Sequence, residues 1–292
     1  MGIFMSYKIQ KRILLCTFLL LPMLLMAMFL IYPSFKLFQM SFYNWDGVLP
    51  DKQFVGFTNY VYAFTDSEGF PMLVHNIPYI ITGFLQNIIG LILAVILISK
   101  LKGRNIFRSI LFFPYIINSV AVAFMFNYMY DFTRSPINLA LQAIGLSPVE
   151  FIGTPRLVNI SLAAISLWRY LGFTVVIYIA ALQSVPREMY EAAEIDGANS
   201  AQTLRYITLP SIKSIVELNL FLSLSGALNA FIETLVITHG GPGSSSRTFV
   251  YTIVVNAFQT NRFSFAAALS IILIAIILLV TGIQRKVVLR DK

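Results

Sequence analysis

Six long runs of apolar residues dominate the chain, and shorter polar segments separate them. Four of the runs hold no charged residue, while the fourth run along the chain holds one and the fifth holds two. A helix needs about 20 mainly apolar residues to cross a bilayer. The pattern therefore predicts six transmembrane helices, at residues 13–32, 76–99, 109–130, 158–185, 215–238 and 265–283.

Composition agrees with this pattern and excludes a water-soluble globule. Of the 292 residues, 58% are hydrophobic and only 12% are charged, and the mean hydropathy is +0.77. Soluble domains carry about 25% charged residues. The expected fold class is an all-α integral membrane protein, with residues 1–292 forming a single transmembrane domain. The first run lacks a small-x-small cleavage site, so we expect a retained span and not a cleaved signal peptide.

Basic residues flank the runs unequally, and this inequality predicts the orientation. The side that carries more Lys and Arg is the cytoplasmic one, so both termini are predicted to be cytoplasmic. The fourteen residues of the cytoplasmic set are Lys8, Lys11, Arg12, Lys100, Lys102, Arg104, Arg108, Arg187, Arg205, Lys213, Arg285, Lys286, Arg290 and Lys292. The six of the outer set are Lys36, Lys52, Arg134, Arg156, Arg247 and Arg262.

The same distribution excludes several other functions. A net charge of +8 could indicate a nucleic-acid partner, but the basic residues flank membrane spans, so no nucleic acid is expected. One cysteine and two widely separated histidines do not form a metal site. No Ser/His/Asp or Cys/His set can be assembled either. We therefore expect no enzyme activity, no metal and no cofactor in this chain.

The polar segment at residues 186–210 carries most of the cytoplasmic acidic residues. Gly197 suits the position just after a helix, where positive φ is often required. Asn199 or Ser200 can cap a second short helix, which Pro210 would end. A helix lying on a membrane surface would be rich in Lys and Arg, so this acidic segment favours a protein partner. Its apolar anchors would be Met189, Tyr190 and Ile195.

Residues Glu191–Pro210 resemble the EAA loop of ABC-importer permeases. That loop reads Glu-Ala-Ala, three residues, Gly, nine residues, Ile-x-Leu-Pro, and the segment EAAEIDGANSAQTLRYITLP has each fixed residue. In the family, this loop is the coupling helix that docks into a groove on the ATPase subunit. The resemblance therefore implies an ATPase-coupling set of Glu191, Ala192, Ala193, Asp196, Gly197, Ile207, Leu209 and Pro210.

Three further segments resemble the sugar-type permeases, the group of the maltose transporter's membrane subunits. They are FVGFTNYVYAF (Phe54–Phe64), LQSVPREMYEAA (Leu182–Ala193) and VITHGGPG (Val236–Gly243), although His239 stands where Gly or Asn is usual. The resemblance implies the type I ABC importer permease fold, in the cytoplasmic membrane of a bacterium or archaeon.

The resemblance also implies partners. These are a second homologous permease in a heterodimer, two ATPase subunits that bind ATP and Mg²⁺, an extracytoplasmic solute-binding protein, and membrane lipid. The chain has no Gly-Lys dipeptide and hence no Walker A loop. ATP hydrolysis is therefore assigned to the separate subunit.

Polar residues at membrane depth are candidates for a substrate pathway, because such residues usually face a cavity or each other. In the fourth span, aromatic rings beside a guanidinium suit the apolar face and the hydroxyls of a sugar. In the fifth span, spacings of three and four residues place four side chains on one helical face. The predicted pathway residues are Arg169, Tyr170, Phe173, Ser223, Gly226, Asn229 and Glu233.

Structural interpretations of the same residues stay open. Ser and Asn also join membrane helices by hydrogen bonds, and Arg169 could pair with Glu233 or extend towards the interface. An arginine at this depth raises the hypothesis that the solute is an acidic sugar.

The predicted function is import of a sugar or oligosaccharide. The alternatives are a glycerol-phosphate-like or other small polar solute, a membrane scaffold that only docks an ATPase, and a homodimeric pore.

Overall fold

The computed structural model describes residues 7–98 and 102–288, and these residues are mostly helical. Ser99 at the end of the second predicted span lies outside the described residues. So do Lys100, Arg290 and Lys292 of the predicted cytoplasmic set.

Helices account for the elements that the apolar runs predict, and short helices fill several connections. The α-helices are Tyr7–Met26, Tyr32–Met40, Thr58–Thr65, Ile77–Ile98, Arg104–Ile116, Ser119–Met129, Pro136–Ala143, Val158–Gln183, Arg187–Ile195, Ser200–Thr203, Leu209–Ser211, Lys213–Leu228, Phe249–Phe258 and Phe263–Val288. π-Helical turns run over Ala27–Ile31, Leu204–Thr208 and Thr234–Thr238, and a 3₁₀-helix runs over Phe70–Asn76. The strands Tyr43–Asn44 and Gln53–Phe54 form one antiparallel pair. This small hairpin is an addition to the expected all-α fold.

Four helical segments are long and apolar enough to cross a membrane by themselves: Lys11–Met40, Phe70–Ile98, Val158–Gln183 and Phe263–Lys286. Two bent helix pairs bring the total within the described residues to six if each pair is one span. We call these six segments spans 1 to 6 in chain order, but we use span 5 for residues 213–238 alone and treat Ser200–Ser211 as a separate helical segment that precedes it. Span 1 is longer than predicted, and its most apolar stretch has no buried residue, whereas the other three single-helix spans contribute to the core.

Span 3 is not the continuous helix that residues 109–130 predict. It consists of Arg104–Ile116 and Ser119–Met129, which meet at 97°. Pro114 cannot donate a hydrogen bond in the first helix. Asn118 then takes an extended conformation and accepts a hydrogen bond from the Val120 N–H at 2.9 Å, which starts a new helix.

Span 5 also differs from the continuous helix predicted at 215–238. Its main helix, Lys213–Leu228, meets the preceding Ser200–Ser211 segment at 76°. After Leu228 the α-helix stops, and helical structure resumes at Ile232 and leads into the π-turn Thr234–Thr238. The apolar run of span 5 therefore contains an interruption at 229–231, in the part of the chain that the sequence places inside the membrane.

Side chains from other elements bind the backbone carbonyls at this interruption. Asn76 Nδ2 donates to the carbonyl oxygens of Ala227 at 2.9 Å and Leu228 at 3.4 Å. Thr248 Oγ1 donates to the Ala230 carbonyl at 2.7 Å. Asn76 Oδ1 also accepts from the backbone N–H of Phe249 at 2.9 Å. The break is therefore compensated by partners from the start of span 2 and from the loop before span 6.

Glycines allow the central spans to approach closely. A β-carbon at Gly172 in span 4 would overlap the Leu111 carbonyl of span 3, and one at Gly90 in span 2 would overlap the Thr174 side chain of span 4. Span 4 thus packs between spans 2 and 3, and its buried face includes Leu162 and Val175.

Residues assigned to the outer side by the charge pattern lie together in the fold. Arg247 forms an ion pair with Glu68 at 3.0 Å, and Arg262 forms one with Asp66 at 3.8 Å. Burial opposes ionisation of Asp66, but the Glu68 N–H, the Tyr62 hydroxyl and Arg262 together lower the pKa of its carboxyl. The grouping agrees with the predicted loop sides, while the cytoplasmic location of the termini stays a prediction.

Gly172→Ala is expected to destabilise the protein by about 1–3 kcal/mol, since the added methyl group meets backbone rather than a movable side chain. The measurement is the thermal unfolding midpoint of the purified protein in detergent. Gly282→Ala is the matched control, because a β-carbon at this position in span 6 meets nothing within 4 Å. Equal midpoints for the two variants would contradict the close crossing of spans 3 and 4.

Candidate functional site

A cavity of about 510 Å³ lies between spans 2, 3, 4 and 5. The fold brings all seven predicted pathway residues to its lining, three from span 4 and four from span 5 and its interruption. The interruption contributes directly, because Asn229 and Phe231 lie where the helix has stopped. The structure therefore places the predicted residues in one site, and their contact with a solute stays a prediction.

Several residues that line the cavity are not among those predicted from the sequence. Span 2 contributes Tyr79, Thr82 and Gln86, span 3 contributes Tyr115, and spans 4 and 5 add Ser166 and Asn219. Gln86, followed by Asn87, is a signal that could have been used, because two adjacent amides in an uncharged span are costly unless they have partners. Tyr79, Tyr115 and Ser166 carry no such signal, since these residue types are common in membrane helices.

Aromatic rings form one wall of the cavity. Tyr115 of span 3 stacks on Phe173 of span 4, with ring centroids 4.6 Å apart and planes inclined by 16°. Tyr170 meets Tyr115 edge-on with centroids 6.0 Å apart. This wall offers flat apolar surface next to a phenolic hydroxyl, a combination that suits a ligand with both apolar and hydroxyl-bearing faces.

Arg169 makes internal contacts on the same wall. Its guanidinium donates to the Tyr170 hydroxyl at 3.1 Å and to the Ile117 carbonyl at 3.4 Å, and its buried Nε has no acceptor within the described residues. Ile117 is the residue at which span 3 bends. Arg169 therefore binds a carbonyl at that bend, while the N–H at its buried Nε has no partner within the described residues.

Glu233 is 8% exposed and accepts a hydrogen bond from Ser166 Oγ at 3.2 Å. Among the ion pairs of the described residues, none joins Glu233 to Arg169. The pairing left open by the sequence is therefore not formed in this conformation. The Glu233 carboxylate and the Arg169 guanidinium therefore both line the cavity without forming an ion pair.

A network of hydrogen-bonded polar side chains connects spans 2, 4 and 5 beside the cavity. Gln86 Nε2 donates to Thr174 Oγ1 at 2.7 Å, and Asn87 Nδ2 donates to Ser223 Oγ at 2.9 Å. The Tyr178 hydroxyl donates to Asn87 Oδ1 at 2.7 Å. Ser223 thus takes part in interhelical hydrogen bonding and also lines the cavity, while its contact with a solute stays a prediction.

The segment with the EAA pattern forms two helices joined at a glycine. The first, Arg187–Ile195, is followed by Gly197 with φ of +76°. The N–H of Ala198 bonds to the Ala193 carbonyl at 2.9 Å and that of Gly197 to the Glu194 carbonyl at 3.1 Å, which is the Schellman arrangement. Asn199 then caps the second helix in a capping box with Gln202. The predicted glycine terminus and the predicted cap are both present.

Two details of this segment differ from the expectation. The second helix ends at Ser211, one residue after Pro210, and a π-turn at Leu204–Thr208 precedes the proline. A wider turn of this kind adapts the backbone to a proline. Tyr190, which the sequence predicts as an apolar anchor for a partner, instead packs against a buried cluster of the spans.

The remaining coupling candidates divide between surface and core. Ala193 is 6% exposed, whereas Ile195 is 86% exposed. Ile207 and Leu209 are half-buried. The exposed members of the predicted set are Glu191, Ala192, Asp196, Gly197 and Pro210. An acidic surface with one exposed isoleucine is therefore available to a partner.

Comparison with known proteins places the chain in a defined group. The sequence profile of the family described as "Binding-protein-dependent transport system inner membrane component" matches residues 86–290. A probable ABC transporter permease protein, YurN of Bacillus subtilis, is 31% identical over 272 residues, covering 91% of this chain and 93% of YurN. The multiple sugar-binding transport system permease protein MsmF of Streptococcus mutans is 30% identical over 275 residues, covering 92% and 93%.

The fold also matches a solved transporter. A chain of a bacterial alginate ABC transporter, in complex with an alginate pentasaccharide-bound periplasmic protein, superposes with a TM-score of 0.82 at 22% identity. The match covers 95% of this chain and 94% of that one. The importer permease fold expected from the sequence is therefore confirmed.

Proposed function

The chain belongs to the family of binding-protein-dependent transport system inner membrane components, and we propose that it is the membrane-spanning permease subunit of an ATP-driven importer of a sugar or oligosaccharide. The observation that carries this proposal is the cavity between spans 2 to 5, whose wall combines stacked aromatic rings with hydroxyl, amide and charged groups. The relative MsmF, a permease of a multiple sugar-binding transport system, supports the sugar class.

The proposed solute contacts are the seven pathway residues that line the cavity. Rings of Tyr170 and Phe173 would lie against the apolar face of a sugar ring, while Asn229 and Glu233 would bind its hydroxyls. Gly226 meets nothing within 4 Å of its would-be β-carbon, so it leaves room for the solute.

The proposed partners follow the importer architecture. A second homologous permease would complete the pathway, and two ATPase subunits would bind ATP and Mg²⁺ and receive the coupling helix Arg187–Ile195. An extracytoplasmic binding protein would deliver the solute, as supported by the periplasmic protein bound to the alginate transporter. The chain would lie in the cytoplasmic membrane of a bacterium or archaeon, with both termini on the cytoplasmic side.

An acidic oligosaccharide is the second candidate for the solute. The observation in its favour is the buried Nε of Arg169, an N–H without an acceptor in the described part of the cavity wall. The alginate transporter, which shares the fold, carries a solute of this charge. A carboxylate in the cavity would supply the missing acceptor.

Purification through a tag on this chain is expected to recover a second permease and an ATPase, identified by mass spectrometry. The complex, reconstituted in liposomes with the binding protein, should then take up a labelled oligosaccharide only with ATP. Suitable probes are maltotriose, raffinose, an alginate trisaccharide and glycerophosphocholine. If only this chain and an ATPase are recovered, the proposed permease pair is a homodimer and not a heterodimer. Uptake of glycerophosphocholine alone, or of none, would contradict sugar import.

Arg169→Ala is expected to abolish uptake of the alginate trisaccharide if the solute is acidic, since its carboxylate loses the guanidinium. Maltotriose uptake by the same preparation is the control, because Arg169 also bonds to the bend of span 3. Unchanged kinetics for the alginate probe would remove the acidic candidate.

Gly197→Val is expected to uncouple ATP hydrolysis from uptake. A β-branched residue at φ of +76° costs about 1–2 kcal/mol and would change the angle between the two cytoplasmic helices. Gly145→Val is the matched control, because Gly145 has φ of +80° and equally open surroundings in a different loop. The ratio of uptake to hydrolysis should fall only for Gly197→Val, and an equal ratio in both would count against the coupling role.

A further inference from the structure

The cavity wall holds a carboxylate and a phenol whose hydrogen-bonding capacity is largely unused. We propose that Glu233 and Tyr79 form a sugar-hydroxyl subsite there: the Glu233 carboxylate accepts hydrogen bonds from neighbouring hydroxyls of the solute, and the Tyr79 hydroxyl donates to one of them. This inference rests on the proposed function and assigns specificity within it.

The backbone beneath Glu233 is held in place from several directions. Thr234, the next residue, donates its hydroxyl hydrogen to the Ser246 carbonyl at 3.1 Å. Ala230, three residues earlier, accepts from Thr248 at 2.7 Å. The residue therefore follows an interrupted helix but sits on fixed backbone. A binding group needs such support, because its geometry must be set before the ligand arrives.

The Glu233 side chain has acceptor capacity to spare. A carboxylate offers about four acceptor positions, and within the described residues the one hydrogen bond to this side chain comes from Ser166 Oγ. Burial of a carboxylate in a membrane protein is costly, and such groups usually mark substrate or ion pathways. A ligand rich in hydroxyl donors would fill the free positions.

Tyr79 supplies the complementary donor. Its side chain is 2% exposed, and its ring packs in the cluster that includes Val122 and Leu162. The hydroxyl has no partner in hydrogen-bonding geometry within the part of the chain that the structure describes, although it belongs to a residue of the cavity wall. Tyr79 and Glu233 both line the cavity, from span 2 and span 5.

An acceptor next to a donor matches the chemistry of a sugar better than that of an anion. A hydroxyl can donate to Glu233 and accept from Tyr79 at the same time. A phosphate or carboxylate placed here would meet the negative charge of Glu233 directly. Any acidic group of the solute would instead bind near Arg169, on the neighbouring part of the wall.

A purely structural role predicts different behaviour. If Glu233 only ties span 5 to span 4 through Ser166, a glutamine serves equally well, because its amide oxygen accepts the same bond. If Tyr79 only fills space, phenylalanine fills it without an unpaired hydroxyl. Conservative substitutions therefore distinguish binding from packing.

Glu233→Gln in the reconstituted complex is expected to raise KM by roughly tenfold for the oligosaccharide that the wild type takes up fastest, among maltotriose, raffinose and the alginate trisaccharide. Vmax and the thermal unfolding midpoint should stay at their wild-type values. Glu217→Gln is the matched control, since it makes the same change in span 5 at a residue that does not line the cavity. Its KM should equal that of the wild type.

Tyr79→Phe is expected to raise KM several-fold while the thermal midpoint stays equal or rises, because an unpaired buried hydroxyl is removed. Unchanged KM in either cavity variant, or an equal rise in Glu217→Gln, would overturn the subsite. A wild-type complex that takes up none of the three sugars would instead refute the proposed function.

Discussion

The fold depends on one constraint, that every backbone N–H and C=O inside a bilayer needs a partner within the protein. Unbroken helices meet this requirement by themselves. Spans 3 and 5 are interrupted within their apolar runs, and other side chains bind the released carbonyls. Asn76 and Thr248 do this for span 5, and Arg169 does it for span 3. These three side chains connect elements that are far apart in the chain.

The cavity is a consequence of the same interruptions. A straight span 5 would present a regular helical surface to span 4, whereas the stopped helix turns Asn229 and Glu233 towards a space bounded by spans 2 and 4. The hydrogen-bond network of Gln86, Asn87 and Tyr178 holds spans 2, 4 and 5 together. A concave polar site inside a membrane protein is stable only with such compensation.

The helices Arg187–Ile195 and Ser200–Ser211 connect to the same scaffold. Tyr190 of the first helix packs in the cluster that contains Leu97 of span 2 and Leu182 of span 4. Its hydroxyl lies 3.4 Å from the Thr208 hydroxyl of the second helix. The second helix continues through Pro210 to the bend before span 5. A force applied to the exposed acidic surface would therefore reach span 5, which lines the cavity. This continuity gives the proposed coupling a physical path.

The sequence by itself determined the apolar spans and the glycine terminus and cap of the loop at residues 186–210, and it predicts a separation of charges between the two sides of the membrane. Each of these follows from local properties: length of an apolar run, charge near its ends, and backbone preference at Gly197 and Asn199. It also identified Arg169 and Glu233, because charge inside an apolar run is conspicuous. Only the tertiary structure decided where spans 3 and 5 break, because the partners of those carbonyls come from distant residues such as Asn76 and Thr248. For the same reason, only the tertiary structure placed Tyr79 and Ser166 in one cavity with Glu233. Tyrosine and serine are common in membrane helices, so their residue types alone did not mark them as part of the site.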